Sequence, residues 1–262
     1  MGRKLKRIRP AAAYVIAILA FVLICFVVGR IPTGDSISSS ETSDSTQQDN
    51  SGLPWNLILV SNEIPLPENF QTPQLATLSD YRNEQVDARI LQDLTTMLND
   101  MEQAGLQPLV CSSYRDYNRQ MQLFNQERDR FTEQGMDAEE AYAAAMANIA
   151  LPGYSEHETG LAVDIVSVDH QTLDRDFADT PEGQWLAANS AQYGFVVRYT
   201  ADKQEITGIT YEPWHFRYVG RDAALAMQQQ NLCLEEYLIQ QGYLQEESAQ
   251  PEESSGLESS LE

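Results

Sequence analysis

Apolar side chains recur along this chain in three ways: as one unbroken run, at helical spacing, and in short β-branched stretches. The unbroken run is residues 11–29, AAAYVIAILAFVLICFVVG, which carry no charge. At helical rise it reaches roughly 28 Å, about the hydrocarbon thickness of a bilayer. Helical spacing follows later. Ser79 can cap a helix whose apolar positions are Val86, Ile90, Leu94, Met97, Leu98 and Met101, and Gly105 can end it. Asp116 opens a second predicted helix through Met121, Phe124 and Gln134, and Asp137–Ile149, rich in Ala and Glu, reads as a third. Thr180-Pro181-Glu182 is a helix start with proline at the first helical position, and Gly194 is its stop. Short apolar runs predict strands at Pro108–Cys111, Leu161–Val166, Phe195–Tyr199, Glu205–Tyr211 and His215–Tyr218, and two helical stretches close the domain. Helices cluster early and strands late. The expected fold class is therefore α+β, one small domain with a central antiparallel sheet flanked by helices.

Polar stretches set the expected boundaries. Residues 31–52, IPTGDSISSSETSDSTQQDNSG, hold only Ile31 and Ile37 as large apolar residues and read as a disordered linker, and residues 245–262 read as a disordered acidic tail. The folded domain is expected over 53–244. Charge sharpens this division. Of the 17 basic residues, Arg3, Lys4, Lys6, Arg7, Arg9 and Arg30 lie in the first thirty positions, where none of the 39 acidic ones lies. Positive charge ahead of the apolar run keeps the N-terminus in the cytoplasm and sends the rest outward. The expectation is a single-pass anchor in the cell membrane, within residues 1–30, with the domain extracellular and facing the cell wall. A cleaved signal peptide is the competing reading, but its apolar core is usually shorter and no good cleavage site follows. Ile24 is too bulky for lipoprotein processing at Cys25. The acidic body excludes nucleic acid as a partner. Cys111 and Cys233 form no CxxC pair; they are read either as an extracellular disulfide or as two buried free thiols.

The chain has three histidines, and two of them stand in Ser155-Glu156-His157-Glu158-Thr159-Gly160-Leu161-Ala162-Val163-Asp164 and Glu212-Pro213-Trp214-His215. Taken singly, each has a plain reading: a turn histidine on the surface, a strand aspartate on an exposed face, a core tryptophan beside a rim histidine. Taken together, His157, Asp164 and His215 offer two neutral donors and one anionic one, the set a catalytic zinc requires. Asp164 interrupts an apolar run, where a carboxylate is costly unless paired or bound to a cation. Glu212 is the candidate proton acceptor. On a regular strand it would face away from His215, three residues on, so the backbone must bend near Pro213. Ser112-Ser113-Tyr114-Arg115 follows a predicted strand; Arg115 could hold a carboxylate or an oxyanion, with Gln120 donating to the same ligand. The third histidine, His170, lies in a polar loop and is read as structural or solvated.

These segments resemble the VanY-type D-alanyl-D-alanine carboxypeptidases. The likeness rests on Ser113-Tyr114-Arg115 with Gln120, on Pro152-Gly153 through Asp164, and on Tyr211-Glu212-Pro213-Trp214-His215-Phe216-Arg217-Tyr218-Val219-Gly220. It extends to Trp55–Val60 with Pro65-Leu66-Pro67, to Gly194–Tyr199 and to Thr207-Gly208-Ile209, so it covers roughly residues 55–220. The resemblance implies a zinc carboxypeptidase trimming peptidoglycan stem peptides, with the metal in a groove on the sheet. His157, Asp164 and His215 match its metal ligands, Glu212 its catalytic base and Arg115 its oxyanion-stabilising arginine. Gln120 and Ser155 match residues that hold the substrate terminus; Ser113 and Trp214 join them as substrate-binding candidates. The implied partner is the peptidoglycan stem peptide, met by a monomer. D,D- and L,D-cleavage fit the same motifs. A cross-link endopeptidase or a non-catalytic zinc-containing wall-binding module are the alternatives.

Overall fold

The computed structural model describes residues 52–245. The membrane anchor expected in residues 1–30 lies outside them, as do the expected linker and acidic tail except for residues 52 and 245. Among the described residues no helix is long and apolar enough to cross a membrane.

Four strands build the central sheet: β3 (Pro108–Ser112), β4 (Ala162–Ser167), β5 (Phe195–Tyr199) and β6 (Glu212–Tyr218), in the order β3-β4-β6-β5 with every pair antiparallel. The expected α+β architecture with an antiparallel sheet is thus what forms. A hairpin of β1 (Leu75–Leu78) and β2 (Glu84–Asp87) stands apart from this sheet. The helices are α1 (Leu91–Gln103), α2 (Tyr117–Glu133), α3 (Ala138–Met146), α4 (Pro181–Asn189), a one-turn α5 (Gln204–Thr207), α6 (Arg221–Gln230) and α7 (Leu234–Gln240). Strand alternation divides the sheet. Val163, Ile165 and Phe216 enter the main core with Leu94, Met97, Leu98 and Met101 of α1 and Leu186 of α4. A second core, under α6 and α7, joins Leu57 and Leu59 to Val219, Ala224, Met227, Leu234 and Leu238. Asp164, His215 and Arg217 point to the other face, which near Arg217 meets the second core.

Two expected elements are corrected. The helix predicted from Ser79 begins only at Leu91, with Ile90 as its N-cap. The residues before it form the hairpin, whose tight turn places Arg82 and Asn83 at φ 53° and 56° and closes through Glu84 N–H donating to Tyr81 O at 2.9 Å. Val86 is buried as expected, but from a strand, because one apolar residue fits either period. The strand predicted over Glu205–Tyr211 is instead the one-turn helix and an approach to β6. Cys111, half-buried, and Cys233, buried, are both free thiols.

The turn into β4 depends on Gly160. It adopts φ 73° at the end of a 3₁₀ turn, Glu156–Thr159, and a Cβ there would stand 3.0 Å from the Asp87 backbone nitrogen. Asp87 N–H donates to Gly160 O at 3.0 Å, so the neighbour has little room to retreat. Gly160→Ala is expected to cost about 1–2 kcal/mol from the left-handed backbone alone. Denaturant unfolding of the two proteins checks this; equal midpoints would contradict it.

Candidate metal centre

Register brings the three candidate ligands together. Asp164 pairs across the sheet with His215 on β6 and with Ser112 on β3, and cross-strand partners project from the same face. His157 arrives from the 3₁₀ turn that precedes β4. All three are buried, and one ligand atom from each lies within 4.8 Å of the others. His157 Nε2 is 3.4 Å from Asp164 Oδ2, and His215 Nδ1 is 3.3 Å from Asp164 Oδ1. Donors in a tetrahedron with bonds of about 2.1 Å stand about 3.4 Å apart, so these spacings suit zinc. Among the described residues, His157 Nε2 and Asp164 Oδ1 are buried without a hydrogen-bond partner. Orphaned buried atoms of this kind call for a bound group, and two imidazoles with a carboxylate are a zinc donor set.

Glu212 reaches the same cluster because β6 is irregular. From Val197↔Phe216 to Tyr199↔Glu212, β5 advances by two residues while β6 advances by four. The extra residues form a bulge around Pro213, where proline's missing N–H is tolerated, and the bulge turns Glu212 toward His215. Glu212 Oε2 lies 3.6 Å from His215 Nδ1. The bend expected from spacing is therefore present as a bulge inside a continuous strand.

Burial and neighbouring charge set the ionisation of the cluster. Burial pushes the Glu212 carboxyl up to about 8, and nearby Asp164 and Glu156 add to this against His215 and Arg115. Burial together with the Arg115 charge lowers His157 to about 4, against the pull of Asp164. For His215 burial works the other way from its neighbours, but the Asp164 and Glu156 carboxylates prevail and lift it to about 9. Asp164 itself, despite burial, is held well below the usual carboxylate range by His157 and His215. A cluster this anionic around His215 favours a cation at its centre.

Arg115 stands at the edge of the cluster, with Nη2 3.6 Å from Asp164 Oδ2 and a side chain 14% exposed. Its Nη1 donates to Gln120 Oε1 at 3.1 Å, and Gln120 Nε2 donates to Ala150 O at 2.7 Å. The structure thus sets Gln120 behind Arg115, orienting the guanidinium. Ser113 has a part that its motif did not suggest. Its hydroxyl donates to Glu84 and accepts from the Gln85 N–H, while its carbonyl accepts from His157 Nδ1 at 2.7 Å. These bonds set Ser113 beside the candidate ligand His157, and the β1–β2 hairpin braces it. Ser155 is buried beside His157, where its N–H and that of Gly153 donate to Glu158 Oε2. Trp214 is half-buried and packs on the main core. His170 lies outside the cluster, with Nε2 2.9 Å from Asp174 Oδ1.

Sequence reasoning gave no role to Glu156, Arg198 or Arg217, which pack directly behind His215. Glu156 Oε2 accepts from His215 Nε2 at 3.3 Å, and its Oε1 accepts from Arg198 Nε at 2.8 Å and Arg217 Nη1 at 2.7 Å. A signal was present. Both arginines interrupt apolar strand runs, as Asp164 does, and a buried charge demands a partner.

A model of the family described as VanY, D-alanyl-D-alanine carboxypeptidase, matches residues 83–221. A D-alanyl-D-alanine carboxypeptidase of Enterococcus faecalis is 39% identical over 185 residues, which span 70% of this chain and 66% of that relative. Among solved structures, VanYB in complex with D-alanine-D-alanine shares 38% identity over 71% of this chain and 98% of its own, with a TM-score of 0.64. A variant of the vancomycin-resistance D,D-pentapeptidase VanY in complex with Zn(II) has the same TM-score and identity, and 99% of it is covered. The L,D-carboxypeptidase LdcB is 34% identical over 70% of this chain and 86% of its own, with a TM-score of 0.60.

Proposed function

We propose that this chain, which belongs to the VanY family of D-alanyl-D-alanine carboxypeptidases, is a zinc-dependent carboxypeptidase that removes the terminal D-alanine from peptidoglycan stem peptides. The observation that carries the reading is the convergence of His157, Asp164 and His215 with Glu212 and Arg115 on one face of the sheet. His157 Nε2, the Asp164 carboxylate and His215 Nδ1 would hold the metal. Zinc bound there supplies a Lewis acid that polarises a carbonyl and acidifies water. Glu212 then takes the proton of the attacking water and returns it to the leaving amine. Arg115, steadied by Gln120, supplies positive charge where the carbonyl oxygen becomes negative. The basic residues before the apolar run 11–29 support placing this domain outside the cell membrane, within reach of the wall.

D,D-cleavage is the preferred specificity, because the Enterococcus faecalis D-alanyl-D-alanine carboxypeptidase and VanYB share 39% and 38% identity with this chain, against 34% for LdcB. The test is incubation of the zinc-loaded protein with pentapeptide and tetrapeptide stems, followed by mass spectrometry. Loss of one alanine from the pentapeptide, abolished by a chelator and restored by zinc, is the expected result. Trimming of the tetrapeptide alone would reassign the enzyme to L,D-cleavage. Intact stems in the presence of bound zinc would sink the proposal and favour cross-link cutting or a binding module.

A further inference from the structure

The charges behind the metal centre continue past Glu156 to the last helix. Arg198 takes Glu156 Oε1 with Nε and turns the rest of its guanidinium on Glu235 of α7, Nη1 donating at 2.9 Å and Nη2 at 2.6 Å. Arg217 shares Glu156 Oε1 and ties the other end of the domain, with Nη2 donating to the carbonyls of Asn56 at 3.3 Å and Ile58 at 2.7 Å. The side chains of Arg198, Arg217 and Glu156 are at most 1% exposed. Buried charges of this kind hold only as a set, since removing one leaves the next unpaired.

The consequence falls on the ring of His215. A carboxylate that already receives two guanidinium N–H groups has only lone pairs to offer. His215 must then present its N–H at Nε2, which leaves the lone pair of Nδ1 directed toward Asp164. His157 is held in the opposite sense, with Nδ1–H on Ser113 O and Nε2 toward Asp164. We infer that the chain Glu235–Arg198–Glu156 selects Nδ1 of His215 as the metal donor. It makes Glu235, on a helix beyond the family-matched residues 83–221, a remote positioning residue for the centre. The inference rests on the zinc reading given above.

The full-length protein and its Glu156→Gln and Glu235→Gln variants would be compared by zinc competition against a chromophoric chelator. The visible absorption of the cobalt(II)-loaded proteins and the Tm of the metal-free proteins complete the set. Glu156→Gln is expected to weaken zinc about 10- to 100-fold and to alter the cobalt bands. Glu235→Gln should shift both in the same direction by about threefold to tenfold, as a more distant link in the same chain. Unchanged zinc affinity and cobalt bands beside a lowered metal-free Tm would mean a purely structural network and overturn the inference. If Glu156→Gln does not fold, the Glu235→Gln readings decide alone. A parent protein that takes up no metal would overturn the zinc reading itself, and this inference with it.

Discussion

Glu212→Ala is expected to keep its metal and lose about a thousandfold in turnover. The three candidate ligands are His157, Asp164 and His215, and none is touched by this change. What disappears is a carboxylate beside the cluster that is neither a candidate ligand nor paired with arginines behind it. Positioned proton transfer contributes about 10²–10⁴-fold to a rate, which sets the expected size of the loss. Stability should move the other way. The Glu212 side chain is only 12% exposed and sits near the Asp164 charge, so its carboxyl is held at a cost to the fold. The variant should therefore melt no lower than the parent. Stem-peptide turnover, elemental analysis and a thermal melt together check the expectation. Full activity with zinc at one equivalent would remove Glu212 from the mechanism.

His215→Ala is expected to lose the metal and, with it, all measurable cleavage. His215 is a candidate ligand tied to the cluster on both sides of its ring: it lies near Asp164 and Glu212 through Nδ1 and on Glu156 through Nε2. Without it, His157 and Asp164 alone remain as candidate donors, too few for a stable zinc site. Glu156 would also lose its only contact with the cluster while keeping both arginines. Zinc content after dialysis is the measurement, with Glu212→Ala as the control that retains metal. Parental zinc content in His215→Ala would exclude it from the ligand set.

The two variants separate binding from chemistry because residues three apart, Glu212 and His215, share one centre. Spacing along a strand argues against that, and the sequence supplied only Pro213 as a hint of a bend. The bulge in β6 is a matter of pairing with β5, and pairing is settled between strands, not within one. The hairpin β1–β2 was lost for a related reason. Val86 and Ile90 continue the α1 pattern in phase, and nothing local distinguishes a buried strand residue from a buried helix residue at that length. Its absence from the expected fold also concealed why Ser113 turns its hydroxyl to Glu84 and Gln85 and its carbonyl to His157.

The donor types and their order are legible in the sequence, as are the apolar strand runs around Asp164 and His215. His157, Asp164, His215, Glu212 and Arg115 are rare or costly residues in apolar or glycine-punctuated surroundings, and such residues announce themselves locally. The caps of α2 and α3 at Asp116 and Asp137 were equally legible, because a cap is a contact within a few residues. Which nitrogen of each histidine faces the centre is set by contacts made across the fold. That choice belongs to the partner on the far side of the ring: Ser113 O for His157, and Glu156 for His215. Glu156 in turn depends on Arg198, Arg217 and a carboxylate on α7. Those partners come from distant parts of the chain, and no local pattern records a contact that exists only once the sheet has closed.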